Sequence, residues 1–437
     1  MPLTILSDRD VERVLLSLTK KDVLELQESL GDALHWYSTS QDANDYCSDF
    51  QPERLHLKRK DGSMTLFMPA SGIQGQGVKV VNVSPPESEV TQAARAGHGS
   101  ADAQTPDRNK VSAPNPEATE SVGHSKPVST IRGSITLLDP QGRTTGLLNA
   151  EEVTAFRTAL ASSLLLPRRQ SVDTLTVFGA GKQAHWHIRL ALLLRGDEIK
   201  HLNVITRSFD SATKCLQRLY NPLPSDPTYV NTIGELSDSK TEQSIITPSH
   251  VEYERLLKEA VHDSNVIYCT VPSSTPLFPA SYLTNPEGRK KGRYIACIGS
   301  YQPHMVELDP DVLTDAVAPH HQHGRVHRRQ KEGGAVIVDT LSGCMREAGE
   351  IIQAGLRPDQ LVEVGELIML KKERDSADEE VQGCALQEKQ FSGLKEWIER
   401  GNVIFKLVGL GLLDLVAGNE ILRLAKERAI GLDVEHF

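Results

Sequence analysis

The 437-residue chain lacks a basic surplus: 48 Lys and Arg face 58 Asp and Glu, a formal net charge of −10. A nucleic-acid binder normally shows a basic excess or stripe, so no nucleic-acid partner is expected. No apolar run approaches the ~20 residues a membrane helix needs, so no membrane partner is expected either. The opening MPLTILSDRDVERVLL carries early acids and no apolar stretch of a secretory signal. Cysteine is sparse and unpatterned: Cys47, Cys215, Cys269, Cys297, Cys344 and Cys384 form no CxxC pair and no metal-ligand spacing. They read as reduced thiols of a cytoplasmic protein without a metal. The composition itself, 39% hydrophobic and 24% charged, suits a globular chain of two or three domains.

Two helices are expected first. Ser7 caps one, with Asp10 three residues on, and Thr19 caps the next, with Asp22 at the same offset. Leu24, Leu26, Leu30, Ala33 and Leu34 give the second an apolar face. The period then changes to two. Leu55, Leu57, Met64, Leu66 and Met68 flank the turn pair Asp61-Gly62, residues 77–83 form another strand, and 135–149 a hairpin about Pro140–Gly142. Residues 85–129 are rich in Pro, Ser, Ala, Gly and Glu and almost free of large apolar side chains. They read as a disordered insertion.

From residue 174 apolar strands alternate with helices: 174–181, 201–207, 265–272, 294–300 and 335–340, with a weak candidate near 229–248. That alternation predicts an α/β class, a doubly wound parallel sheet of Rossmann type. Polar insertions are expected at 318–333 and 371–398. The first holds His320, His321, His323 and His327, but no Cys or carboxylate at ligand spacing, so it reads as a solvated loop. The segment 402–429 begins as a strand and becomes a helix. The domain reading is an α+β unit over 1–150, joined by a returning 403–437, and a Rossmann unit over 151–402.

Gly179-Ala180-Gly181-Lys182-Gln183-Ala184 follows a strand and opens a helix, the setting a dinucleotide fingerprint requires. Gly179 permits the turn, Gly181 lets the backbone approach a pyrophosphate, and Ala184 keeps helix and strand close. The helix start offers free N–H groups. The next strand ends Thr206-Arg207-Ser208, with no acid before Asp210. A guanidinium and hydroxyls suit a 2′-phosphate, so NADP(H) is favoured over NAD(H).

With PERL (52–55), FMPA (67–70), GVKVV (77–81), EEVTAFRTA (151–159), VFGAGKQAHWH (177–187), IGSYQPHMVELD (298–309), VIVDT (336–340) and IFKLVGLGLLDLVA (404–417), the chain resembles the ornithine cyclodeaminase / mu-crystallin family. The resemblance implies a homodimer with a substrate-binding and dimerisation domain beside the Rossmann domain. It implies NAD(P)(H) acting on a small amino or imino acid. It transfers substrate roles to Arg54, Lys79 and Arg157. Arginine is the natural partner of a carboxylate, and a lysine can hold the carboxylate or protonate an imine nitrogen. Taken alone, each of the three also fits an ordinary strand or helix charge. Thr270, Val271, Pro272 and Val408, with Gly409, are implied to border the cofactor. Glu307 and Asp339 stand at strand ends, where a structural hydrogen-bonding role is equally open.

One departure separates the family's reactions. Where cyclodeaminases carry an aspartate that positions and deprotonates an amine, this chain has Tyr301, and Met305 stands where lysine is frequent. An unperturbed phenol, pKa about 10, is a poor base at neutral pH. The expected activity is therefore NAD(P)H-dependent reduction of a small imino acid, of ketimine or pyrroline/piperideine-2-carboxylate type, with Lys79 and Tyr301 at the reacting centre. The alternatives are a cyclodeaminase using bound NAD, and a non-catalytic NADP(H) and small-ligand binder of mu-crystallin type.

Overall fold

The computed structural model of the protein describes residues 2–39, 51–60, 62–84, 130–222, 241–318, 334–368 and 385–437. The expected insertion 85–129 lies outside these residues, as do 319–333, with their histidines, and 369–384.

Both expected caps form. Ser7 Oγ accepts from Asp10 N at 3.3 Å while Asp10 Oδ2 accepts from Ser7 N at 2.9 Å. Thr19 and Asp22 repeat the exchange at 3.2 and 2.8 Å. They start helices Asp8–Leu16 and Lys20–Thr39. Leu26, Leu30 and Leu34 of the second are buried, but Leu24 is 43% exposed and does not join the apolar face.

Among the described residues the strands form two sheets. The first contains β1 (Leu3–Leu6), β2 (Leu55–Lys58), β3 (Met64–Gly72), β4 (Gly75–Ser84), β5 (Thr130–Leu138), β6 (Thr144–Asn149) and β15 (Leu432–Val434). Their order is β15-β1-β6-β5-β4-β3-β2, antiparallel except where β1 runs parallel to β6. The Pro140–Gly142 turn closes because Asp139 Oδ1 accepts from Gln141 N and Arg143 N, each at 2.9 Å, and Gly142 takes a φ of 80°.

The second sheet is wholly parallel: β7 (Thr174–Phe178), β8 (His201–Ile205), β9 (Glu242–Ile246), β10 (Val266–Cys269), β11 (Tyr294–Cys297), β12 (Val336–Val338), β13 (Leu361–Glu363) and β14 (Val403–Lys406). The order β13-β12-β14-β11-β10-β7-β8-β9 reverses between β7 and β10. The central strands are buried along their whole length, as helices on both faces require. A crevice at such a reversal, at the carboxyl ends of the strands, is where doubly wound sheets bind ligands.

Three boundaries differ from expectation. β14 sits between β11 and β12, so Val403–Lys406 belongs to the parallel sheet and the chain leaves it only afterwards. Helix Gly411–Glu427 then packs on β3, β4 and β5, and β15 pairs with β1. Residues 385–400, half of the expected polar insertion, are helical. The weak candidate near 229–248 yields β9, while 223–240 lie outside the described residues.

Candidate active site

The glycine turn lies at the sheet reversal. Gly179 has a φ of 110°, and a Cβ there would meet Thr270 Oγ1 at 2.6 Å. Its N–H donates to Ile205 O at 2.8 Å. Thr270 is fixed in turn, its hydroxyl donating to Phe178 O at 2.6 Å, and Thr270 and Val271 border the turn. Gly181 is the residue before helix Lys182–Arg195 and offers no side-chain cap. A Cβ on Gly181 would meet nothing within 4 Å. Open space above uncapped N–H groups is a fit for a dinucleotide's pyrophosphate. Ala184 is fully buried beneath. Lys182, in the first turn, pairs with Glu151 and Glu152 at 2.8 and 2.6 Å. Ala180 and Gln183 are partly buried beside it. At the end of β8, Thr206 N donates to Ile246 O, Ser208 Oγ caps helix Phe209–Tyr220 by accepting from Ser211 N at 3.3 Å, and Arg207 is exposed.

Between the sheets lies a buried ion cluster. Asp414 Oδ1 accepts from Lys79 Nζ at 2.9 Å and from Arg157 Nε at 3.2 Å. Lys79 comes from β4, Arg157 from helix Ala150–Ser162, and Asp414 from the first turn of Gly411–Glu427. Burial lowers the Lys79 ammonium to about 8; Asp414 opposes the shift, and Arg157 and Arg54 add to it. Asp414 Oδ2 is buried without a hydrogen-bond partner.

A cleft adjoins this cluster, lined by Arg54, Met68, Thr340, Val408, Gly409 and Gly411 among others. Met68 is the register partner of Lys79, and a Cβ on Gly409 would lie 3.1 Å from Arg157 Nη2. Each cation thus neighbours a residue that lines the cleft. Arg54 is tied to Glu347, its Nε 3.2 Å from Oε1, and the neighbouring Glu53 pairs with Arg346. The phenol of Tyr301 is raised by burial, against the pull of Arg54. Arg54 is thus within electrostatic reach of Lys79, Arg157 and Tyr301.

Glu307 and Asp339 act on the backbone. Glu307 accepts from Val271 N at 2.9 Å, Gly299 N at 2.7 Å and Ser300 N at 3.0 Å. Burial raises it to about 8, with Lys406 opposing and Glu350 adding. Lys406 Nζ lies 3.3 Å from Glu350 Oε2 and donates to Ser300 O at 2.7 Å. Asp339 accepts from Thr340 N, Val408 N and Gly409 N at 3.0, 3.3 and 2.8 Å. These two carboxylates fix the loops carrying Val271, Tyr301 and Val408.

Sequence reasoning missed Asp414, Glu347, Glu350 and Lys406. A lone acid in GLLDLVAG, and a lysine closing the apolar VIFK, signalled buried charges that need partners. Among the described residues no group of three or more His, Cys, Asp or Glu is placed to hold a metal, and no helix is long and apolar enough to cross a membrane.

No family model matches the chain. It is 24% identical over 317 residues to a Δ1-pyrroline-2-carboxylate reductase of Bacillus cereus, covering 70% of this chain and 75% of the relative. Its fold matches the Thermococcus litoralis Δ1-pyrroline-2-carboxylate reductase solved with NADH and L-proline, with a TM-score of 0.61, 18% identity and coverage of 99% and 100%. A lysine cyclodeaminase that recognises L-lysine, L-ornithine and L-2,4-diaminobutyric acid matches at a TM-score of 0.61 and 17% identity, covering 99% and 95%. In sequence the chain is thus similar to Δ1-pyrroline-2-carboxylate reductases and in fold to both these reductases and cyclodeaminases, in keeping with its resemblance to the ornithine cyclodeaminase / mu-crystallin family.

Proposed function

We propose that this protein is an NAD(P)H-dependent reductase of a small α-imino acid, of Δ1-pyrroline- or Δ1-piperideine-2-carboxylate type. The observation that carries the reading is the Lys79–Asp414–Arg157 cluster. Two cations share one carboxylate, leaving one positive charge in excess behind the cleft. That excess complements the single carboxylate of an imino acid. Arg157 holds a carboxylate permanently charged, and Arg54 adds a second guanidinium if it exchanges Glu347 for the ligand.

The reduced nicotinamide, when bound, supplies hydride. The chain supplies the rest. Gly181 and the helix start receive the pyrophosphate, and Thr270, Val271, Pro272 and Val408 wall the nicotinamide end. Lys79, at about 8, is mostly protonated at neutral pH yet a far better acid than a free lysine, which suits a proton donor. The low-dielectric surroundings strengthen each of these contacts.

Tyr301 favours reduction over cyclodeamination. Cyclodeamination needs a base for a cationic amine, and a phenol whose pKa is raised by burial is a worse base than a free tyrosine. Arg207 with Thr206 and Ser208 supports NADP(H) over NAD(H). A homodimer in the cytoplasm belongs to the same reading, to be checked by sedimentation and fractionation. Cys215, Cys269, Cys297 and Cys344, all buried free thiols, agree with a reducing compartment.

The test is NADPH consumption with each cyclic imine, beside ornithine with NAD. Imine-dependent consumption that vanishes in Lys79→Ala is expected. Proline formed from ornithine, or cofactor binding with no turnover of any imine, overturns the reading.

A further inference from the structure

Asp414 is 1% exposed. Its Oδ1 takes both Lys79 and Arg157, while its Oδ2 has no hydrogen-bond partner. A buried acceptor left unmade is costly, and native structures keep one only for a reason. The reason is sought in the ligand, because the same carboxylate already orders the two cations proposed to face it.

Resting on the reductase reading, we propose that Asp414 recognises the substrate's nitrogen: its Oδ2 accepts the N–H of a protonated imine, so the enzyme selects α-iminium carboxylates. An α-keto acid brings an oxygen lone pair to that point, and an unprotonated imine brings a nitrogen lone pair. Both meet the Oδ2 lone pairs with repulsion. An iminium brings the donor that the oxygen lacks. The match extends to charge. The substrate is a zwitterion whose carboxylate and N–H are one carbon apart. The site presents Arg157 and Asp414 as adjacent opposite charges, 3.2 Å between Nε and Oδ1.

The role also changes the chemistry. An iminium carbon is a stronger hydride acceptor than a neutral imine carbon. As hydride forms the new C–H bond, the C=N π pair moves to nitrogen, which keeps its proton and becomes a neutral secondary amine. The Lys79 ammonium then gives that amine a second proton, the product leaves as an ammonium carboxylate, and solvent reprotonates Lys79. Asp414 is not consumed; it holds the N–H throughout.

The discriminating probes are L-proline and tetrahydrofuran-2-carboxylate, which share ring size and carboxylate and differ in the N–H. With NADP+ present, the wild-type protein is expected to bind proline far more tightly. In Asp414→Asn, proline affinity falls about 10- to 100-fold, the span of a lost charge-assisted hydrogen bond, while the oxygen analogue changes little. Lys79→Met and Lys79→Met/Asp414→Asn repeat the comparison without the lysine, the double variant keeping the wild-type cluster's net single positive charge. Discrimination survives in the first and collapses in the second. If both ligands weaken together in the Asp414 variants, or discrimination persists, Asp414 only positions Lys79 and Arg157, and the proposal falls while imine turnover by the wild type stands. If the wild type binds neither ligand and turns over no imine, the reductase reading falls and takes this proposal with it.

Discussion

Raising the pH through the titration of Lys79 separates activity from stability. Its ammonium is lowered from 10.5 to about 8, chiefly by burial. Only 2% of the side chain is exposed, so the full shift applies, roughly 3 kcal/mol of differential cost between its two protonation states. If the ammonium is the proton donor, about nine-tenths of the enzyme is competent at pH 7 and about a tenth at pH 9, and kcat/KM falls about tenfold per pH unit beyond. Stability moves the other way. The folded pKa lies below the unfolded one, so between about pH 8 and 10.5 the unfolded chain binds the extra proton, and the folded state gains stability as pH rises through that window. Alkaline loss of turnover without loss of the thermal transition is the expected signature. The substrate nitrogen titrates as well, and variants tell the two apart. Arg157→Gln removes a cation that depresses Lys79 and moves the limb upward, whereas a limb belonging to the substrate stays in place. The assay is initial-rate NADPH consumption across pH 6 to about 10, beside thermal melts in the same buffers. A limb that stays at about 8 in Lys79→Arg, or a flat profile across the range, refutes the assignment.

The two glycines of the turn separate fold from cofactor. Gly179→Ala strains a φ of 110° and drives a Cβ toward Thr270 Oγ1, so denaturant melts show a loss of about 1–3 kcal/mol. Gly181→Val enters open space, leaving the melt within about 0.5 kcal/mol while NADPH affinity drops at least about tenfold. Arg207→Ser lowers the NADPH-to-NADH ratio of kcat/KM by about tenfold or more while leaving NADH turnover in place. Glu152 is held at about 2, against the burial that would raise it, by Arg218, Lys182 and Trp186. Its contribution is present above the unfolded value of 4.5 and fades as pH falls toward 2, so Glu152→Gln costs about 3 kcal/mol at pH 7 and flattens the acid-unfolding curve. Glu307→Ala strands the N–H groups of Val271, Gly299 and Ser300 and lowers stability by about 3–5 kcal/mol in urea, with Glu307→Gln recovering part of it.

What was legible in the sequence is what local chemistry determines. The caps at Ser7 and Thr19 act over three residues, and the Gly179–Gly181 turn is a property of six. The largely apolar β7, β10 and β11 announce a sheet covered on both faces. What depends on distant pairing was not legible. β15 has three residues, mostly exposed, and is a strand only because β1 lies beside it. Residue 403 reads as the start of the return, yet β14 inserts between β11 and β12, which no local pattern encodes. Leu24 sits at an apolar period position and still faces outward, since helical phase does not say how wide the covered stripe is.

The site itself follows from one rule applied twice. Lys79 in GVKVV, Asp414 in GLLDLV, Lys406 in VIFK and Glu307 in MVEL are single charges in apolar runs. Burying one such charge alone is prohibitive, so each demands a partner that the local sequence does not name. The structure joins them into two clusters that differ in what the carboxylate holds. Both oxygens of Glu307 are taken by three backbone N–H groups, and this cluster holds the loops of Val271 and Ser300, although Glu350 Oε2 within it is buried without a hydrogen-bond partner. Asp414 has one oxygen bonded twice and the other without a hydrogen-bond partner. What distinguishes the two buried triads is the partners of their central carboxylates: backbone N–H groups make Glu307 part of the frame, whereas Asp414 is held by side-chain cations alone.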